Sequence, residues 1–395
     1  MDKQRNVTVM LVAGEPSGDQ LGAQLMAALK SLDKDVTIVG AGGPAMIAQG
    51  LEPLFTIDTT SVMGLREVVP RVPGILRRVR EASDFALKSR PDTLVIIDSP
   101  DFTHRIAQRL KRFDRSIPVI NYAPPQVWAS RSYRAKRMAR YIDAVINFFP
   151  FESEFFRRYG IPAYCAGYPV VERANRIRGG AAFRNSHGIA AGVPVLAVLP
   201  GSRRNEIRFI LPVFRRAVEI LAREIPGLVS VIPTVGHVAG LVRSVAADWP
   251  TPVRVIEDDD ERFAALDAAD AGLAASGTVT TELALARKPM VVGYKLGWLT
   301  YLLARPFIHV SSIVLINLVL ERQAVPEFIQ SACTPEALAQ AVKSLLVDQQ
   351  ARARQLRDLD EAVRAFGLGS ESPSERAARA VLAIARKQGP ELVAD

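Results

Sequence analysis

Strand-length runs of β-branched and other apolar residues alternate with helical patterns along most of this chain. The first set of runs lies at 7–13, 36–40, 93–98, 117–122 and 144–149. After a break the alternation starts again, with runs at 194–200, 228–234, 253–257, 271–276 and 289–294. Strands that alternate with helices pair in parallel and are covered on both faces. The pattern therefore predicts an α/β fold with two Rossmann-like, doubly wound domains.

The break between the two sets, 172–193, is polar and rich in Gly and Ala, which is typical of a linker. A chain of 395 residues is long enough to bury two cores. We expect an N-terminal domain over 1–175, a second domain over 190–345, and helices over 346–395 that could pack back on the first. Open α/β sheets bind ligands beyond the carboxyl ends of their strands, so we expect the site in a cleft that the two domains face.

The charge balance favours an anionic partner. The chain has 50 lysines and arginines against 41 acidic residues, a net charge of +9, which fits nucleic acid, a phosphate-bearing substrate or acidic lipid. Its two cysteines, Cys165 and Cys333, form no CxxC motif, which excludes a disulfide framework and favours a reducing compartment. The first residues do not resemble a signal peptide, and charged residues and a proline interrupt the most apolar stretch, 298–320. We expect a cytoplasmic protein.

The turn after the run at 194–200 reads LPGSRRNEI and precedes a helical pattern. Gly201 allows a tight turn, and Ser202 and Arg203 then lie near a helix N-terminus, where backbone N–H groups attract anions. Arg203 adds a permanent charge that can bind a phosphate with two hydrogen bonds. The turn therefore predicts a diphosphate site that needs no metal. A helix cap with surface arginines is the alternative.

A second turn of this kind follows the run at 271–276. Gly277 and Thr278 precede a helix, and small residues in that position form an anion-binding nest. Glu282, one turn into the helix, could accept two hydrogen bonds from a ribose. The alternative is a solvent-facing glutamate that pairs with Arg287 or Lys288.

Two turns of the first half carry the remaining polar groups. Asp98 ends the run at 93–98 and is a candidate general base, whereas Asp101 suits the cap of the helix that follows. The turn AGEPSGD after the first run lacks the known phosphate-loop motifs. We expect four of its residues to shape the first domain's side of the cleft: Gly14, Ser17, Gly18 and Asp19.

No pattern predicts a metal or cofactor site. The four histidines lack metal-ligand spacing, and the acidic run at 257–261 is better explained as a helix cap. The basic segment 131–140 fits a solvated helix face first and anionic lipid second. It has no stacking platform, so we expect no nucleic-acid partner.

Apolar and cationic residues interleave over 62–80. This pattern describes a surface that enters a membrane interface or grips an acyl chain, and the alternative is a core-facing helix with an arginine-rich outer face. Two prolines make one straight helix over the whole range unlikely to form. The apolar positions assigned to the membrane or acyl chain are Leu65, Val68, Val69, Val72, Ile75 and Leu76.

Taken in order, these segments resemble the lipid-A-disaccharide synthase family. The matching pieces include LVAGEPSGD at 11–19, SVMGLREVV at 61–69, IDSPDF at 97–102, YAPPQVWASR at 122–131, LPGSRRNEI at 199–207, ASGTVTTELAL at 275–285 and VSSIVLINLVLERQAVPEFIQ at 310–330. The resemblance implies a GT-B glycosyltransferase on the cytoplasmic face of the inner membrane. Such enzymes join UDP-2,3-diacylglucosamine to 2,3-diacylglucosamine 1-phosphate with inversion and without a metal, which gives the β-1,6 disaccharide and UDP.

The resemblance also implies roles for single residues. Asp98 matches the family's candidate base, Arg203 with Ser202 the diphosphate contact, Gly277 and Thr278 the phosphate lining, and Glu282 the ribose contact. Asn317 matches an asparagine that faces the donor, and Met63 and Gly64 lie in the segment that faces acyl chains or the membrane. The expected partners are thus the two substrates and an anionic membrane surface, with a homodimer left open.

The chain departs from the family pattern on the acceptor side. Ser130 replaces a tryptophan and Tyr168 a histidine, which leaves the acyl-chain preference open. Competing interpretations are the peptidoglycan lipid-intermediate transferase, a UDP-N-acetylglucosamine epimerase, and a non-catalytic lipid-binding protein on the same scaffold.

Overall fold

The computed structural model describes residues 6–57, 72–130, 133–297 and 311–388. They form two compact units. The first contains the described residues up to Pro169 together with those from Ser370 onward, and the second runs from Val170 to Gly369.

A seven-stranded parallel sheet forms the centre of the first unit, in the order β3-β2-β1-β4-β5-β6-β7. The strands are β1 (Thr8–Ala13), β2 (Thr37–Gly42), β3 (Pro53–Thr56), β4 (Thr93–Ile97), β5 (Val119–Tyr122), β6 (Ala144–Asn147) and β7 (Ala163–Cys165). The helices are α1 (Pro16–Leu32), α2 (Pro44–Ala48), α3 (Val72–Ser89), α4 (Pro100–Phe113), α5 (Val127–Ser130), α6 (Tyr133–Met138) and α7 (Pro150–Arg158).

Both faces of this sheet are covered, which explains why its strands read as continuous apolar runs. All five residues of β4 are buried. Alternate positions of β1 separate into two cores: Leu11 packs in the cluster that includes α1, and Met10 packs in the cluster that includes α4. The period of two in a strand sends neighbouring side chains to opposite faces, so one apolar run supplies both cores.

The second unit contains a six-stranded parallel sheet in the order β10-β9-β8-β11-β12-β13. Its strands are β8 (Val195–Leu199), β9 (Val229–Pro233), β10 (Val253–Ile256), β11 (Ala271–Ala274), β12 (Met290–Tyr294) and β13 (Glu327–Ile329). A 3₁₀ helix, Pro169–Arg176, precedes α8 (Gly180–Ser186), and the further helices are α9 (Arg204–Glu224), α10 (Gly236–Ala246), α11 (Asp259–Ala268), α12 (Thr278–Leu285), α13 (Leu315–Val319), α14 (Pro335–Val347) and α15 (Gln349–Ala365).

The two parallel sheets confirm the predicted doubly wound α/β fold. The prediction of a linker over 172–193 was wrong, because this segment folds into the 3₁₀ helix and α8 and packs into the second unit. Arg184 of α8 donates to the carbonyl oxygen of Ala268 and forms a 2.9 Å ion pair with Asp270. The segment is polar because it packs on the surface of the second unit, where an arginine anchors it, and not because it is a flexible linker.

The C-terminal residues divide between the units. In α15, Gln355 exchanges hydrogen bonds with the backbone of Met290 in the second unit. The last described helix, α16 (Pro373–Ala385), buries Val381 against Leu25 and neighbouring residues of the first unit's core. Arg386, just after α16, forms a 2.5 Å ion pair with Asp33.

No helix among the described residues is long and apolar enough to cross a membrane.

Each sheet has one point where the strand order reverses, between β1 and β4 and between β8 and β11. Ala13 pairs with Ile97 in the first sheet, and Leu199 pairs with Ala274 in the second. The turn after β1 therefore lies beside the turn after β4, and the turn after β8 lies beside the turn after β11. Such switch points are the usual ligand sites of open α/β sheets.

Candidate active site

Asp98 lies at the switch point of the first unit, and two short hydrogen bonds orient its carboxylate. The hydroxyl of Ser17 donates to Oδ2 at 2.5 Å, and the backbone N–H of Ser99 donates to Oδ1 at 2.7 Å. Ser17 comes from the turn after β1, so the structure brings together two groups that are 81 residues apart in sequence. The side chain is partly exposed, which leaves the carboxylate accessible.

Glycines make this close approach of the two turns possible. A Cβ atom on Gly18 would lie 3.2 Å from Cβ of Asp98, and one on Gly14 would lie 2.5 Å from Cβ of Ser99. Real Cβ contacts are longer than the second value, so the turn after β1 requires glycine where it passes the turn after β4. Gly14, Ser17 and Gly18 therefore lie close to Asp98 and Ser99, whereas their predicted role in shaping a cleft stays a prediction.

The backbone of Asp98 and Ser99 adopts the left-handed conformation, with φ of 52° and 45°. This region costs an ordinary residue about 1 kcal/mol or more, and it persists where surrounding contacts enforce it. Thr103 supplies one such contact, because its hydroxyl donates to the carbonyl oxygen of Asp98 at 2.7 Å. Strain of this kind is concentrated at functional sites.

Two acidic residues near Asp98 have other roles. Asp101 is exposed in the first turn of α4, and the predicted cap was wrong because Ser99 occupies the N-cap position. Asp19 points into the protein and is 3% exposed. Its carboxylate accepts N–H groups of Gly43, Ala45 and Met46 at 2.8 to 3.0 Å, which fixes the start of α2. It thus supports the fold and does not line an open surface.

Replacement of Asp19 should destabilise the protein, because three buried backbone N–H groups would lose their charged acceptor. We expect Asp19→Ala to lower the free energy of unfolding by about 3 kcal/mol. Urea unfolding measures this, with Asp35→Ala as the control, since Asp35 is exposed. Equal unfolding midpoints for the two variants would contradict the supporting role.

A cavity of about 400 Å³ opens at the carboxyl ends of β8, β9 and β11 in the second unit. Five of the residues predicted to bind the UDP-sugar line it: Ser202, Arg203, Gly277, Thr278 and Glu282. Helix α9 begins after Arg203, and α12 begins after Gly277, so two helix N-termini meet at one cavity. The backbone N–H groups at helix N-termini and the positive ends of the helix dipoles favour an anion there.

Glu282 is buried between two arginines that the sequence analysis missed. Only 2% of the residue is exposed, and its two carboxylate oxygens pair with Arg173 at 2.6 Å and Arg262 at 2.7 Å. The alternative, a surface pairing with Arg287 or Lys288, is excluded, because Arg287 pairs with Asp360 and Lys288 donates to the carbonyl oxygen of Asp267. Both newly found arginines line the cavity.

Glu206 holds the guanidinium of Arg203 beside the turn. Arg203 is 60% exposed and pairs with Glu206 at 2.8 Å, while the hydroxyl of Tyr294 donates to the same carboxylate at 3.3 Å. Gly201, with φ of 102°, leaves room for this carboxylate, since a Cβ there would lie 2.8 Å from Oε2. Burial and the nearby Glu206 raise the pKa of the Tyr294 hydroxyl, so it keeps its proton and donates.

Asn317 does not face this cavity. It is 4% exposed, its amide donates to the carbonyl oxygen of Val325, and its Oδ1 accepts the N–H groups of Ala324 and Val325. These bonds hold the turn that leads into β13, and the predicted contact with the donor stays a prediction.

The apolar segment lies only partly within the described residues. Met63, Gly64, Leu65, Val68 and Val69 fall outside them. In α3, Val72 and Leu76 are 40% and 39% exposed, whereas Val79 and Ala82 are buried. The membrane-facing assignment of Ile75 was wrong, because Ile75 is partly buried and packs against the core of the first unit. The helix thus has a core-facing side and an exposed apolar end.

The acidic run at 257–261 caps a helix, as predicted. Asp258 accepts the N–H groups of Asp260 and Glu261 at the start of α11. Within the described residues, no group of three or more His, Cys, Asp or Glu side chains is placed to hold a metal ion.

Comparison with known proteins adds independent findings. A family model described as lipid-A-disaccharide synthetase matches residues 9–382. The lipid-A-disaccharide synthase of Rhodospirillum centenum is 43% identical over 381 residues, which cover 96% of this chain and 95% of that protein. The corresponding enzyme of Paramagnetospirillum magneticum is 44% identical over 386 residues, with 97% and 98% covered.

Solved structures show the same fold at low identity. A putative UDP-N-acetylglucosamine 2-epimerase from Listeria monocytogenes aligns with a TM-score of 0.66 and 13% identity over 97% of this chain and 98% of its own. At that identity the likeness concerns the fold alone.

Proposed function

Since the chain belongs to the lipid-A-disaccharide synthetase family, we propose that it is an inverting glycosyltransferase that makes the lipid A disaccharide. The donor is UDP-2,3-diacylglucosamine, and the acceptor is 2,3-diacylglucosamine 1-phosphate. The products are the β-1,6-linked disaccharide 1-phosphate and UDP. The second unit binds the donor, and the first unit binds the acceptor.

The cavity of the second unit carries this proposal. Two helix N-termini and the side chain of Arg203 offer several N–H donors to one anion, which suits a diphosphate. When the bond between the anomeric carbon and the diphosphate breaks, negative charge grows on the leaving UDP. Donors that are already oriented stabilise that charge without further rearrangement, which is the most effective form of electrostatic catalysis.

Glu282 suits the ribose of the same nucleotide. A carboxylate has about four acceptor positions, and the two arginines occupy one on each oxygen. The remaining positions can accept the two ribose hydroxyls. Arg173 and Arg262 hold the carboxylate in place while it does so.

Asp98 is the proposed base for the acceptor. The 6-hydroxyl oxygen of the acceptor attacks the anomeric carbon from the side opposite the diphosphate, the carbon–diphosphate bond breaks, and the hydroxyl proton passes to Asp98. The configuration at the anomeric carbon is inverted, and UDP takes the bonding electrons. The bonds from Ser17 and Ser99 fix the direction in which the carboxylate accepts this proton.

Acceptor-dependent release of UDP tests this proposal. We expect UDP to accumulate from UDP-2,3-diacylglucosamine only when 2,3-diacylglucosamine 1-phosphate is present. Conversion of UDP-N-acetylglucosamine alone to its 2-epimer would favour the epimerase function instead. UDP binding without turnover of any donor would favour a non-catalytic lipid-binding protein.

The exposed end of α3 supports peripheral binding to an anionic membrane on its cytoplasmic face. Both substrates carry acyl chains, and exposed Val72 and Leu76 lie beside arginines of the same helix. Apolar side chains enter the interface of a bilayer, and arginines contact its acidic headgroups.

Polar replacements at this end should weaken membrane binding. We expect Val72→Ser with Leu76→Ser to reduce binding to phosphatidylglycerol vesicles about tenfold, because two apolar side chains no longer enter the bilayer. Co-sedimentation measures it, and Val347→Ser is the control, since Val347 is 61% exposed in the second unit. Equal losses in both variants would contradict a local membrane site.

A further inference from the structure

A second cavity of about 210 Å³ lies in the first unit and has no role in the steps described above. It begins at Pro100, two residues after Asp98, and continues along one side of α4 through Asp101, His104 and Arg105. Helix α6 and the residues after it close the opposite side with Arg134, Arg137 and Tyr141. A phosphate group is small enough for this volume.

The rim of this cavity has more arginines than carboxylates. Three arginines face one carboxylate, that of Asp101, so the lining has a net positive charge of two when His104 is neutral. Within the described part of the chain, neither Arg134 nor Arg137 forms an ion pair with a carboxylate. Arg105 donates from Nε to the carbonyl oxygen of Asp101, which leaves the other end of its guanidinium for a ligand.

The floor of the cavity is polar, buried and uncharged. The amide of Asn121 donates to Nε2 of His104 at 3.0 Å, and the proton on Nδ1 is then donated to the hydroxyl oxygen of Tyr141 at 3.1 Å. Burial lowers the pKa of His104 to about 4, so the ring is neutral at neutral pH. The hydroxyl of Tyr141 also has a hydrogen bond with the side chain of Gln108, which lines the cavity as well.

This arrangement matches a phosphomonoester. Such a group has three terminal oxygens and close to two negative charges, and forked arginines bind it better than other side chains do. The first residue of the cavity lining, Pro100, follows two residues after Asp98, which is the proposed base for the acceptor's hydroxyl. The acceptor carries a phosphate on the same sugar ring as that hydroxyl, whereas the donor's charge belongs to UDP.

We infer that Arg134, Arg137 and Arg105 bind the 1-phosphate of the acceptor and so position its 6-hydroxyl at Asp98. This inference rests on the proposed function. It also gives the basic segment 131–140 a role, since Arg134 and Arg137 come from it. The three arginines make the enzyme selective for an acceptor that keeps its phosphate.

Binding of glucosamine 1-phosphate tests the inference without turnover. The protein is first saturated with UDP, which occupies the anion site of the second unit, and glucosamine 1-phosphate is then titrated by calorimetry. We expect the double variant Arg134→Gln with Arg137→Gln to raise the Kd about 10- to 100-fold, since two charge-assisted contacts are lost. Lys136→Gln with Arg140→Gln is the charge-matched control, because both residues are exposed and neither lines the cavity. Its Kd should stay at the wild-type value.

Steady-state kinetics tests whether the cavity binds the acceptor during the reaction. We expect the double variant to raise the KM for 2,3-diacylglucosamine 1-phosphate by a similar factor, with the donor KM unchanged. For 2,3-diacylglucosamine, which lacks the phosphate, the wild type and the double variant should have equal KM values. The inference would be overturned if the double variant raised the KM for both acceptors by the same factor. An unchanged Kd for glucosamine 1-phosphate in the double variant would also overturn it.

Membrane phospholipid is the other source of phosphate. Binding to phospholipid vesicles distinguishes this source from the acceptor. If the double variant loses binding to phosphatidylglycerol vesicles but keeps its affinity for glucosamine 1-phosphate, the arginines serve the membrane and the inference is wrong. Absence of disaccharide product in the wild type would overturn the proposed function, whereas the titration would still decide whether the cavity binds a sugar phosphate. Matching thermal midpoints of all variants exclude misfolding as the cause.

Discussion

Asp98→Asn is expected to lower turnover about a thousandfold while UDP binds as tightly as to the wild type. The amide is the same size as the carboxylate and tolerates the left-handed backbone of residue 98, but it cannot take up the proton of the acceptor hydroxyl. Ala would also remove the side chain that accepts from Ser17 and Ser99 and would mix a structural effect with the chemical one.

Single-turnover kinetics with saturating substrates measures the loss, and calorimetry measures the affinity for UDP. Asp35→Asn is the matched control, and its turnover should stay near that of the wild type because Asp35 is exposed and lines neither cavity. If Asp98→Asn retained more than about a tenth of wild-type turnover, general base catalysis by Asp98 would be excluded.

Arg203→Ala is expected to weaken UDP binding about 10- to 100-fold and to lower turnover by at least as much. The guanidinium contributes to the diphosphate in the bound donor and more strongly in the transition state, when the leaving charge is larger. The variant also frees Glu206, whose carboxylate then lies near the anion without its partner and adds to the loss.

Arg204→Ala separates a specific contact from the general effect of charge. Arg204 is the first residue of α9 and is exposed, but it does not line the cavity. It should leave the Kd for UDP nearly unchanged. Equal Kd values for Arg203→Ala and the wild type would refute the assigned role of Arg203.

The fold was predictable because each long strand is buried on both faces and reads as an apolar run. Three of the four edge strands, β3, β7 and β13, were missed because each begins at a proline or directly after one and none forms a continuous apolar run. Their place in the sheets depends on pairing with a neighbour, which a local pattern does not encode.

The site was predictable where backbone geometry dictates it. Gly201 and Gly277 mark tight turns between a buried strand and a helix, and such turns bind anions wherever the sheet places them. Arg173 and Arg262 were missed because Glu282 meets them across 109 and 20 residues, through packing of separate helices. Asp19 was placed on the cleft side for the complementary reason, since nothing in its spacing distinguishes a side chain that binds buried backbone from one that faces a ligand.

The most direct test is the product of the complete reaction. Purified protein is incubated with UDP-2,3-diacylglucosamine and 2,3-diacylglucosamine 1-phosphate in detergent with a chelator, and the lipids are analysed by mass spectrometry. We predict the disaccharide 1-phosphate and UDP in equal amounts from the wild type, and neither from Asp98→Asn. If the wild type binds UDP but forms no disaccharide from these two substrates, the assignment of donor, acceptor and base is contradicted.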